Sequence, residues 1–152
     1  MTEITKEIAD ARVYELSYLI LPSLTEEQML GVGDRLEETV RAYGHKLDGE
    51  IPEKIDLAYT MTHVRGASRY VVNEAYIGWI KFEAPPEKLS SLKEKISEIE
   101  EIIRFLIIKA PRNTDFTFAK ARAQKIAERE LAREEKKEEM ESKTIAEEVL
   151  IQ

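Results

Sequence analysis

Hydrophobic periodicity constrains this chain more than any other feature, because extended apolar runs alternate with stretches whose apolar residues recur every three or four positions. Residues 13–21, VYELSYLIL, are β-branched, aromatic or aliphatic and stop at Pro22, which reads as a largely buried strand. Thr25 followed by Gln28 forms a capping box, worth roughly 1 kcal/mol to a first helical turn. Met29, Val32, Leu36, Val40 and Tyr43 then predict a helix with one apolar face, and Gly44 stands where a left-handed terminating residue is expected. Gly31 and Gly33 weaken that helix by roughly 1 kcal/mol each relative to Ala, and tight packing against a sheet is the expected reason for them.

Residues 45–51 and 55–61 read as one strand interrupted at Pro52, since proline cannot donate to a ladder. Gly66-Ala67-Ser68 is the expected turn into a third strand over residues 70–82, which Ala84-Pro85-Pro86 ends. Leu89, Leu92, Ile96 and Ile99 give a second amphipathic helix, and residues 102–109 a last strand stopped by Pro111.

The order strand, helix, strand, strand, helix, strand predicts an α+β fold of the ferredoxin-like split βαβ type. Such a fold is a four-stranded antiparallel sheet with two helices on one face, leaving the other face for a partner. From Ala119 to Val149 the chain is dominated by Ala, Glu, Lys and Arg without Gly or Pro, so a charged helical extension is expected. Its apolar positions (Ile126, Leu131, Met140, Ile145, Val149, Leu150) keep no steady heptad, which favours a single exposed helix over a coiled coil. The expected division is a flexible segment over 1–11, a folded domain over 12–110 and the extension over 111–152.

Charge limits the functions open to such a fold. The net charge is −7, with 35% charged residues, so a large overall positive field for nucleic acid is excluded and any basic patch must be local. Residues 1–110 carry 14 Lys and Arg against 20 Asp and Glu. Residues 112–133 reverse the balance with six basic residues (Arg112, Lys120, Arg122, Lys125, Arg129, Arg133) against three acids, and 134–152 restore it with three against seven. With no cysteine, thiolate chemistry and disulfides drop out. No apolar run reaches the roughly 18 residues of a spanning helix, and the N-terminus lacks a secretory layout, so a cytoplasmic protein is expected. His45 and His63 stand apart from ligand partners, and no phosphate loop or nucleophile elbow occurs, so neither metal, cofactor nor catalysis is expected.

Several short motifs, each on its predicted element, carry a resemblance. Tyr14-Glu15 with Leu19-Ile20-Leu21-Pro22, Gly44 after the first helix, Leu57-Ala58-Tyr59, Phe82-Glu83-Ala84-Pro85 and the run from Ile103 to Lys109 occur in the order of the bacterial ribosomal small-subunit protein six family, across about residues 12–110. The resemblance implies a non-catalytic protein of the small subunit. It would bind the central domain of the small-subunit ribosomal RNA together with ribosomal protein eighteen of that subunit. By position it implies RNA contact at Arg104 and Lys109 and places Tyr14 and Tyr59 at the family's aromatic positions, expected with Trp79 to meet the protein partner. The family's Trp-Gly and basic cluster is replaced here by residues 52–56, where only Lys54 is positive. Arg65 and Arg69 in a longer hairpin, and Arg112 at the start of the tail, are the further candidates for RNA contact.

Two other readings stand beside this one. Gly78-Trp79-Ile80-Lys81-Phe82 partly matches the third strand of an RNA recognition motif, which stacks single-stranded bases on exposed aromatics. A protein-only module whose tail folds on a partner is the other. Arg104 is alternatively a structural residue paired with a glutamate of the second helix.

Overall fold

The computed structural model describes residues 10–113 and 115–151, so the segment expected over 1–11 falls almost wholly outside the described residues. The elements are β1 (Arg12–Ile20), α1 (Glu26–Tyr43), β2 (His45–Arg65), β3 (Ser68–Ala84), a single 3₁₀ turn (Pro86–Lys88), α2 (Leu89–Ser97), β4 (Ile102–Lys109) and α3 (Phe118–Ile151). The four strands form one antiparallel sheet in the order β2-β3-β1-β4. That is the predicted ferredoxin-like arrangement, and β1 lies inside the sheet because its residues are apolar enough to be flanked on both sides.

Burial alternates along β1, with Tyr14, Leu16, Tyr18 and Ile20 facing the helices. Against them pack Met29, Val32, Leu36 and Val40 of α1, Leu92 and Ile96 of α2, Ile80, Phe82 and Ala84 of β3, and Ile102 of β4. The capping box forms as expected: Gln28 N–H donates to the Thr25 hydroxyl at 3.2 Å, and Thr25 N–H donates to the Gln28 side chain at 3.0 Å.

Three local expectations are corrected. Gly44 has φ −165°, which is extended backbone, and not a left-handed cap. It must be glycine because a Cβ would meet the Glu83 carbonyl oxygen at 2.5 Å where α1 hands over to the sheet. Gly31 does not pack on the sheet, as nothing lies within 4 Å of its missing Cβ, and Gly33 makes ordinary contact with the Pro52 ring at 3.7 Å. Pro52 does not break β2. It sits in a register shift between Glu50 and Glu53 on an edge strand, a place where a residue without an N–H is tolerated, and the strand runs on for 21 residues.

The β2–β3 hairpin is longer than the predicted one. β1 ends opposite Tyr76, so the part of the hairpin beyond Asn73 projects past the sheet as a two-stranded arm. It closes at Gly66-Ala67 with Gly66 at φ +57°, the positive φ that a two-residue hairpin turn needs at its first position. The arm folds back on the α2–β4 connection: the His63 Nε2–H donates to the Glu100 carbonyl at 3.0 Å, and Arg65 pairs with the Glu100 carboxylate.

Residues 114–152 form a separate unit built on α3, a helix of 34 residues with none buried.

Candidate nucleic-acid interface

The sheet face turned away from α1 and α2 is read by following the registers across it. Glu50, Trp79, Ser17 and Leu106 make one row; Asp48, Lys81, Glu15 and Ile108 the next; Glu53, Ile77, Leu19 and Arg104 a third. The centre of this face is closed, contrary to the expectation of a bare sheet. Trp79 is 3% exposed and donates its indole N–H to Glu50 at 2.6 Å. Lys81 is 2% exposed, with Glu15 and Asp48 opposite it in the ladder on its two sides.

The β4 margin is different. Leu106 is 61% and Ile108 47% exposed, and Arg104 beside them is exposed too. Arg104 Nη1 donates to the Tyr59 hydroxyl at 3.2 Å, so the projecting arm brings β2 to the far edge of the sheet. The alternative pairing of Arg104 with a glutamate of α2 is not found among the described residues. Together these residues form an apolar strip with a cation at its end, beside a 60% exposed tyrosine ring.

The other expected residues do not join this cluster. Lys109 is exposed but opposite Tyr14 on the helix side, because five residues along a strand reverse the face relative to Arg104. Lys54 also lies on that side, ion-paired to Glu74 at 3.3 Å and 5.8 Å above the Tyr76 ring. Arg65 is used in docking the arm, whereas the exposed Arg69 makes no ion pair among the described residues. Arg112 pairs with Glu83 at 2.6 Å, and that carboxylate raises the guanidinium pKa. Tyr14, expected at a partner surface, is a core residue, 4% exposed with its ring 5.8 Å from that of Phe82. Its burial follows from β1 lying inside the sheet, and the burial of Trp79 likewise removes it from the accessible surface.

Leu106 and Ile108 escaped the sequence reading, although a signal was present. The run IIRFLIIK does not alternate, and a strand apolar on both faces has something to cover on each.

Below the sheet, Tyr18 is held by Gly78, whose absent Cβ would stand 2.4 Å from the phenol ring. Burial, and secondarily the negative charge of Glu37, push the Tyr18 hydroxyl up to about 12. At the arm's docking point, partial burial raises the Glu101 carboxyl. A backbone hydrogen bond, the Arg35 guanidinium at 3.0 Å and the charge of Arg65 outweigh it, so the pKa ends below its ordinary value. Among the described residues no cluster of His, Cys, Asp or Glu could hold a metal ion.

The split βαβ sheet, its largely occupied outer face and the apolar and basic margin of β4 define a ferredoxin-like α+β domain whose open surface is an edge strand. Residues 13–109 match the family described as Ribosomal protein S6, and the chain belongs to that family. The small ribosomal subunit protein bS6 of Campylobacter concisus is 33% identical over 101 residues, covering 63% of this chain and 64% of the relative. Its counterpart in Campylobacter lari is 28% identical over 99 residues, covering 64% and 73%. The chain thus matches less than two thirds of the length of the C. concisus protein. Among solved structures, 30S ribosomal protein S6 of Thermotoga maritima superposes with a TM-score of 0.55 at 20% identity, covering 78% of this chain and 98% of that one, and so shares its fold.

Proposed function

We propose that this chain is a non-catalytic component of the small ribosomal subunit in the cytoplasm. In this reading it holds the central domain of the small-subunit ribosomal RNA together with ribosomal protein eighteen. Family membership supports the ribosome, and the β4 margin supports the manner of binding. Leu106 and Ile108 are too exposed for a finished surface and suit an apolar protein neighbour, while Arg104, beside Tyr59, suits a phosphate at the edge of that contact. Arg69 and Lys109, both exposed, are the further cations this reading assigns to RNA, and Tyr59 the aromatic it assigns to the partner. Lys54, Arg65 and Arg112 are already neutralised by acids and contribute less.

The recognition-motif alternative has less support, because Trp79 would have to leave its bond to Glu50 to stack on a base. Sedimentation of cell lysate on a sucrose gradient tests the proposal. The protein should co-migrate with small subunits, and its absence from those fractions would overturn the reading.

A further inference from the structure

The acidic composition of this chain hides a segregation of charge on α3. At about 100° per residue, Lys125, Arg129, Arg133 and Lys136 fall within an arc of about 80° along the helix. Arg122 begins the same stripe, and Lys143 continues its line but is paired with Glu139 at 2.8 Å, so the stripe ends at Lys136. The acids Glu128, Glu130, Glu134, Glu135 and Glu138 lie about 90° or more from the centre of that arc. The four central cations are exposed, and among the described residues none of them makes an ion pair. In the globular unit, by contrast, Arg35, Arg41, Lys46, Lys54, Arg65 and Arg112 are each paired with a glutamate.

A helix shaped only for solubility would alternate the two signs along each face. Here Lys125, Arg129 and Arg133 follow one another at i, i+4, an arrangement of like charges that destabilises an isolated helix. The ordering is not a response to the helix dipole either, since the first turn carries no acid and the last no base. A membrane surface does not fit, because the face opposite the cations is acidic where a bilayer needs it apolar. A polyanion does fit: the cations recur every 4.5 to 6 Å along about 16 Å of a straight rod, on the estimate of about 1.5 Å rise per residue. The stripe from Lys125 to Lys136 contains no aromatic side chain for base stacking, so it suits the phosphates of a duplex better than a splayed single strand.

We infer that the basic stripe of α3 is a docking surface for the phosphate backbone of double-helical RNA, independent of base sequence. This inference deepens the ribosomal RNA reading above, yet it is tested apart from it.

The test compares the full chain with the K125Q/R129Q/R133Q/K136Q variant for binding to a 20-base-pair RNA duplex across a range of salt. Glutamine keeps helix propensity, so circular dichroism should show helix content unchanged or raised. The variant should bind at least tenfold more weakly at low salt, and the slope of log affinity against log salt should flatten by about 3 to 4, close to one for each phosphate no longer neutralised. Undiminished affinity and slope would overturn the docking surface while leaving co-sedimentation with small subunits to stand. Conversely, loss of duplex binding in a chain that never co-sediments would overturn the ribosomal reading and retain the stripe. Equal binding of polyglutamate of matched charge would overturn the assignment to RNA.

Discussion

The Arg104 guanidinium donates a hydrogen bond to the Tyr59 hydroxyl at 3.2 Å, and this contact joins β4 and β2, the two strands at opposite edges of the sheet. It exists because the hairpin arm outruns β1 and turns back over the sheet's end. Both groups are exposed, so the bond should add under about 1 kcal/mol, and Tyr59→Phe should barely move the urea midpoint. Arg104→Gln should instead flatten the salt dependence of RNA affinity by about 1. A flat response to Arg104→Gln would leave that arginine with a structural role alone.

The arm's anchoring on Glu100 predicts a local effect. Arg65→Ala removes an ion pair whose partners are 37% and 57% exposed, so global stability should fall by less than about 1 kcal/mol. Amide hydrogen exchange in the arm near His63 should speed up, while exchange in β1 stays slow. Unchanged protection of the arm would show that the ladder between β2 and β3 holds it without the anchor.

Three glycines predict opposite signs. Gly31→Ala places a methyl in open space inside a helix and should stabilise the protein by up to about 1 kcal/mol in thermal or chemical unfolding. Gly78→Ala drives a methyl into the Tyr18 ring and Gly44→Ala into the Glu83 carbonyl, and each should destabilise by about 1 to 3 kcal/mol. A stabilising Gly44→Ala would contradict the close approach of α1 to β3.

Tyr18 makes stability fall in alkali. Its folded pKa of about 12 lies above the unfolded value of 10.0, so its contribution is complete below pH 10. As pH rises from 10 towards 12 the unfolded chain releases a proton that the folded chain keeps, and up to about 3 kcal/mol is lost. Unfolding free energies measured across this window should flatten in Tyr18→Phe; an unchanged slope would place the alkaline loss elsewhere.

Glu101 acts at the other end of the scale. Its folded pKa is lowered below 4.5, so its contribution is present above that value and disappears as pH falls through the folded pKa. Arg35→Gln should shrink the acid loss measured between pH 5 and 3, and an unchanged loss would show that the guanidinium does not hold the Glu101 carboxyl down.

How much of this was legible in advance depended on the range of the interaction. The capping box, the core faces of α1 and α2, and the bounds of β4 follow from neighbours within a few residues, and the element order then leaves few ways to pair the strands. Pro52 misled because a proline's effect depends on whether its strand lies at an edge, which is decided by β3 and β1 far along the chain. Tyr14 and Trp79 misled for a related reason: an aromatic side chain looks alike in a sequence whether it packs on Phe82, bonds to Glu50 or waits for a partner. Lys109 and Arg104 looked like a pair until strand parity separated them. The stripe on α3 was half visible, since counting charges along the tail found its basic start, and only winding the sequence into a helix carried it on to Lys136.

The broken register of β2 has a consequence for how this protein survives crowding. An edge strand of 21 residues is a long template for pairing with another molecule, and unprotected edges of that kind nucleate aggregation. Shifts at 46/48, 50/53 and 56/61 divide that edge into short segments, and Pro52 blanks one donor position. Register breaks of this kind interrupt the straight row of donors and acceptors that edge-to-edge pairing needs, so a strand long enough to carry a reaching arm offers a second molecule only short templates.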